Sequence, residues 1–270
     1  MNVRAIRAIV RKDLSVVLQS KAVLLPIVIV PLVLLLVLPV LASFAPHLVN
    51  LPGASDLTGM MERMPESFAA RFAGLSEAQT IVTLLLVYLF APLYLIVPLM
   101  VASVIAADAF AGEKERRTLE ALLYTPTTDA ELLVGKLLVG FVPAMAVAWG
   151  GFLVYAVVAN AAAWSVMGHV FFPTVMWWVL ALWVAPAVAA LGLGATVLVS
   201  ARVNTFQEAY QIGGVVVLPI VVLLLGQATG VLVLSVALVL LLGAVFWAAA
   251  AALLVFGARR FSRSEILSRS

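Results

Sequence analysis

The residues best able to do chemistry in this 270-residue sequence lie in one run, Asp108-Ala-Phe-Ala-Gly-Glu113-Lys-Glu-Arg-Arg-Thr118-Leu-Glu-Ala-Leu-Leu-Tyr-Thr-Pro126. Both signs of charge are interleaved, Glu113 and Arg117 fall at i,i+4, and Leu119, Leu122 and Leu123 share one helical face. Pro126 breaks this helix. Thr128-x-x-Glu131 then reads as a capping box opening the next helix, which continues through Gly135-Lys136. A short amphipathic helix of this kind can receive force from a soluble partner. On charge alone the same run would be a solvated loop.

Other chemistries find little support. Cysteine is absent, which removes disulfides and thiolate metal sites. His47 and His169 are far apart and lack metal-ligand spacing. There is no Gly-x-x-x-x-Gly-Lys-Ser/Thr phosphate loop and no paired-carboxylate or His-rich motif for a metal-dependent lipid-modifying enzyme.

The elements that position the charged run are apolar. The chain is 65% hydrophobic and 11% charged, against roughly 45–50% and about 25% in an ordinary soluble domain. A water-soluble enzyme, a disordered chain and a nucleic-acid reader are excluded on that ground. Six stretches, about 22–44, 80–107, 137–162, 174–199, 206–225 and 231–256, are each long enough to cross a hydrocarbon core of about 30 Å. The second has length to spare, so it tilts, kinks at Pro92 or Pro98, or projects beyond the bilayer. The fifth has a clean apolar core only from Ile212, which leaves a re-entrant path open, with 226–230 as its turn.

Fourteen of the 16 Lys and Arg fall on one side of this layout, and only Arg63 and Arg71 on the other. The positive-inside rule then predicts cytoplasmic N- and C-termini, which six spans satisfy. The fold class expected is an all-α polytopic membrane protein with six transmembrane helices, 1–270 forming a single transmembrane domain. The first apolar run, about 23 residues, is too long for a signal-peptide core of roughly 7–15.

Residues 1–21 suggest an amphipathic helix at the membrane surface, with Val3, Ile6, Val10, Leu14 and Val17 on one face and Arg4, Arg7, Arg11 and Ser15 on another. Lys12 adds to its basic charge, and a plain topology signal is the alternative. The external loop, 45–79, is a cap holding Met60, Met61, Met64, Phe68 and Phe72, and residues 257–270 form a cytoplasmic tail. Trp164, Phe171, Phe172, Trp177 and Trp178 suggest an aromatic belt.

Prolines at 26, 31, 39, 92, 98, 143, 186 and 219 predict kinks in five spans, and small-residue runs such as Gly150-Gly151, Ala190-x-x-x-Gly194 and Gly213-Gly214 permit close packing. No ionisable residue falls at the centre of a span, which counts against a proton-coupled antiporter. Glu208 is the nearest exception, read as an inner-end partner of Arg202. Ser103 and Asn160 are candidate polar points in an otherwise apolar path, which favours an amphiphilic or lipidic substrate.

The run Gly112-Glu-Lys-Glu-Arg-Arg-Thr-Leu-Glu-Ala-Leu-Leu-Tyr-Thr-Pro126, followed by Gly135-Lys136, resembles the signature of type-2 ABC export permeases. Arg202-Val-Asn-Thr-Phe-Gln-Glu-Ala209, with Pro219 inside the following span, is a second similarity. Arg117 stands where many relatives carry Gly. The resemblance implies a transmembrane subunit that dimerises, as a homodimer by expectation, and docks on two ABC ATP-binding subunits in the cell membrane. The segment 108–136 would hold the cytoplasmic coupling helix, about 113–125. Glu113, Arg116, Arg117, Thr118, Leu119, Glu120, Leu122, Leu123, Thr125 and Pro126 would then couple to the ATPase. The helix bearing Arg4, Arg7, Arg11 and Lys12 would lie at the inner membrane surface beside that contact. Arg202, Glu208 and Pro219 would serve gating or packing. No cofactor is expected on this chain; ATP and Mg are expected on the partner ATPase. An ATP-independent transporter or channel, or a membrane scaffold protein, is the alternative.

Overall fold

A computed structural model describes residues 2–48, 70–116, 127–229 and 231–260. Among these residues the regular structure is helical throughout. Six helices are long and apolar enough to cross a membrane: Lys21–Ser43, Glu77–Glu115, Asp129–Ala162, Val175–Ser200, Phe206–Ala228 and Val236–Gly257, here spans one to six. Helices meet the backbone's hydrogen-bonding needs internally, as hydrocarbon requires. The chain is an integral, multi-pass membrane protein.

Two spans outrun their apolar cores. Span two continues through Asp108–Gly112 to Glu115, and so projects beyond the 80–107 stretch. Span three starts at Asp129, eight residues before its apolar stretch, and the expected box is present: the Thr128 hydroxyl accepts from the Glu131 amide, while the Glu131 carboxylate accepts from the Thr128 amide. Span five is long enough to cross, in three pieces: an α-helix Phe206–Gly213, a 3-10 turn Gly214–Val217, and an α-helix Leu218–Ala228.

Proline explains much of the irregularity. π-helical segments Val33–Val37, Leu84–Leu89 and Leu180–Val184 stand just before Pro39, Pro92 and Pro186, and the 3-10 turn stands just before Pro219. A proline ring supplies no amide and collides with the carbonyl four residues back, so the preceding turn widens or tightens. Carbonyls in the Leu84–Leu89 turn gain partners from other spans. Leu86 accepts from the Tyr155 hydroxyl, and Val87 accepts from the Trp177 indole at 2.7 Å.

Tyr155 and Trp177 are stacked with centroids 4.9 Å apart, and Phe152, Phe172 and Tyr94 complete the cluster. Phe172 and Trp177 are therefore interior residues and not belt residues; Trp164 and Trp178 remain exposed. Tyr155→Phe is expected to cost about 1–2 kcal/mol of stability, because a buried carbonyl loses its donor. Thermal unfolding of the purified protein measures it, and an unchanged midpoint would contradict this role. Asn160 is also structural. Its amide nitrogen donates to Ala156 and Phe172 carbonyls, and its oxygen accepts from the Phe171 and Phe172 amides. Its polar groups are thus engaged, against the expectation of a polar point in a transport path.

Span four is the axle, with 72% of its most apolar window buried, against 22% for each of spans one, five and six. Glycine sets its distances. A Cβ on Gly192 would meet the Leu99 carbonyl of span two at 3.0 Å, and one on Gly194 would meet Leu253 of span six at 3.0 Å. Gly151 packs on Leu35 and Gly213 on Thr196, whereas Gly150 and Gly214 face open space. Ser103 is buried beside Gly192.

Candidate coupling site at the charged end

The end of span two, the start of span three, the connection between spans four and five, and the N-terminal helix Val3–Gln19 meet at one end of the bundle. The N-terminal helix turns Ile9, Asp13 and Val17 inward, at i,i+4 spacing, and leaves Arg4, Arg7 and Arg11 exposed on the opposite face. Val3 is also exposed, so the inward stripe is offset from the apolar face predicted from sequence.

Four charges from three elements converge beneath this helix. Lys136 is fully buried, and Asp13 and Glu113 are only 4% and 5% exposed. The Lys136 ammonium lies 2.5 Å from one Glu113 oxygen and 3.6 Å from Asp13. Lys12 reaches the other Glu113 oxygen at 2.6 Å and Asp13 at 3.0 Å. Lys136 also donates to the Ala109 carbonyl and sits 5.4 Å from the centre of the Phe110 ring. Asp13 takes part through charge alone, having no hydrogen bond of good geometry.

Two cations and two carboxylates leave the group neutral, which is the condition under which buried charge is tolerable. Burial works against the Lys12 charge, but the hydrogen bond and charge of Glu113, with Asp13, hold its pKa above the ordinary value.

This geometry gives the Gly135-Lys136 pair a physical reason. A Cβ on Gly135 would come within 2.9 Å of Ile9, so glycine lets the N-terminal helix lie against span three, one residue from where Lys136 enters the ion cluster. Glu131 fixes the helix's other end, accepting from the Asn2 amide. Gly112 has a comparable role. Arg116 folds back to Asp108, 2.9 Å away, and a Cβ on Gly112 would stand 2.9 Å from that same Asp108 oxygen.

The residues singled out from sequence divide as follows. Glu113 is an inward anchor and not a free docking charge, because Lys12 and Lys136 hold both its oxygens. Arg116 is paired to Asp108. Arg117, Thr118, Leu119, Glu120, Leu122, Leu123, Thr125 and Pro126 lie outside the described residues. Lys12 belongs to the cluster, unlike Arg4, Arg7 and Arg11.

Arg202 and Glu208 are both exposed and do not pair; the Glu208 carboxylate instead accepts from the Asn204 amide at 3.3 Å. Pro219 is exposed in the first turn of the second half of span five. Sequence reasoning missed Asp13 and Lys136 as interior residues. For Asp13 the signal was its i,i+4 spacing from Ile9 and Val17, and Lys136 was marked only as part of the Gly135-Lys136 pair.

The model of one protein family, described as ABC-2 family transporter protein, matches residues 7–240. The chain belongs to that family. It is accordingly a transmembrane subunit of an ABC transporter, and membership implies an ABC ATP-binding subunit as its partner. The match takes in most of the N-terminal helix, all of the ion cluster and the two charged connections. Among curated proteins none matches the chain.

Proposed function

We propose that this ABC-2 permease exports its substrate from the cytoplasm or inner leaflet, with ATP and Mg bound by two copies of a separate ATPase subunit. The charged end would face the cytoplasm, a placement supported by the distribution of Lys and Arg. The observation that carries the reading is the buried four-charge cluster, which fastens the end of span two to span three and to the N-terminal helix. The run 117–126 therefore springs from a braced base on one side and enters the capped start of span three on the other. A push on that run would reach the spans without being absorbed in a loose loop.

The permease would work as a pair, a homodimer by preference, in the cell membrane. Spans one, five and six supply broad exposed apolar faces for lipid or for a second copy. Uncharged span centres favour an amphiphilic or lipidic substrate over a small ion.

Glu120→Lys is the direct test. Reversing one charge at the docking helix is expected to lower ATPase co-purification at least about tenfold, or to leave hydrolysis running without transport. Full co-purification with unchanged coupling would overturn the assignment of 113–125 as the coupling helix.

A further inference from the structure

Three consecutive residues at the end of span two point to different neighbours. Glu113 faces the N-terminal helix and span three. Lys114 and Glu115 face the other way, toward the connection between spans four and five. The Lys114 ammonium donates to the Val203 carbonyl at 3.1 Å, and a Glu115 oxygen accepts from the Phe206 amide at 2.9 Å.

Phe206 is the first residue of span five, so its amide is one of the donors that a helix start leaves without an internal partner. Thr205 meets another of them, its hydroxyl accepting from the Glu208 amide. A carboxylate beside a helix N-terminus is also favoured by the helix dipole. Behind the polar contacts, Phe206 and Tyr210 stack on each other and pack on Ala107, Ala111 and Val203.

The segment so gripped also rests on span four, where Gly213 lies against Thr196. From Phe206 to Gly213 only Ala209 and Gly213 are buried. At Gly213 the helix gives way to the 3-10 turn Gly214–Val217, and Leu218-Pro219 begins the next α-helix. A change of helix type next to proline is a defined break, where the two halves of a helix can change their angle.

We propose that Lys114 and Glu115 form a clamp that makes the inner half of span five, Phe206–Gly213, follow the end of span two, with Gly214–Val217 as the hinge. This deepens the coupling reading and rests on it. The clamp lets one input segment drive two places: span three through Glu113, and span five through Glu115. Lys114 and Glu115 act here as positioning residues. Neither needs to touch substrate or nucleotide.

Two measurements separate the clamp from the ATPase reading. In the permease alone, Glu115→Ala is expected to speed hydrogen exchange at the Phe206 amide about tenfold, as fits the loss of one charge-assisted cap. The start of span three, 129–136, should exchange as before, and Glu115→Gln, which keeps an oxygen acceptor, should lie near the parent. Equal exchange in Glu115→Ala and parent overturns the clamp.

In the permease–ATPase complex, the absence of cysteine lets Ile212→Cys, at an exposed position, serve as a single reporter. A nonhydrolysable ATP analogue is expected to change its thiol-labelling rate. Glu115→Ala should abolish most of that change while ATPase co-purification persists. If the variant does not assemble, Lys114→Met, which removes the other bond, is read in the same way. A nucleotide response that survives loss of either contact overturns the clamp. A parent that binds no ATPase and shows no nucleotide response overturns the coupling reading on which it rests.

Discussion

Lys136→Met is expected to cost about 3–5 kcal/mol of stability, the usual penalty for removing one partner from a buried ion pair. The side chain is fully buried, and its loss would leave Glu113 and Asp13 facing only the half-exposed Lys12. The cost arises from the carboxylates left behind rather than from the lysine itself. A second change can therefore recover it: Lys136→Met combined with Glu113→Gln restores neutrality and should regain at least half the loss. Unfolding followed by tryptophan fluorescence measures both variants in the same detergent. A single variant within about 1 kcal/mol of the parent would mean that water reaches the cluster and screens it. The N-terminal helix should loosen in parallel, seen as faster hydrogen exchange over 3–19.

Gly192→Ala is the second large expectation. Its new Cβ would stand 2.7 Å from the Leu99 side chain, 2.7 Å from the Ser103 hydroxyl and 3.0 Å from the Leu99 carbonyl. The side chains can turn aside, but the carbonyl belongs to the backbone of span two and cannot. Overpacking of this kind costs about 1–3 kcal/mol, and more where backbones must part. Gly150→Ala is the matched control, because nothing lies within 4 Å of that position. With no clash there, the better helix propensity of alanine should leave the control at least as stable as the parent. The same unfolding measurement compares them, and equal stability of the two variants would remove span four from its role as the tightly packed axle.

How far the sequence could be read depended on whether a feature was local. Six spans follow from runs of apolar residues, and the opening of span three from Thr128 and Glu131, because both signals lie within a few neighbouring positions. Burial of Lys136 is different. It needs Glu113, 23 residues away, and Asp13, more than 100 residues away, and lysine in a basic connection reads as solvated until those partners are in place. The end of span two stayed open among tilting, kinking and projecting for the same reason. Asp108 and Glu113 look like solvent-facing charges, yet Arg116 and Lys136 neutralise them and let the helix continue. Phe172 and Trp177 were assigned to the lipid interface from residue type. The Trp177 indole is satisfied inside by a carbonyl of the turn before Pro92, and Phe172 packs on Tyr155 and Trp177, neither of which hydropathy records.

The π-turn Asp108–Gly112 differs from the other three among the described residues, since no proline follows it within span two. A turn that holds an extra residue advances everything after it by about 100° relative to an unbroken α-helix. Glu113 and Glu115, two residues apart, point about 200° from one another on the helix, and the phase change sets which neighbours the pair meets. The number of residues in the turn is thus its fixed quantity, more than their identity. Deleting one would swing both carboxylates off their partners together, as removing a tooth from a gear shifts every later tooth at once.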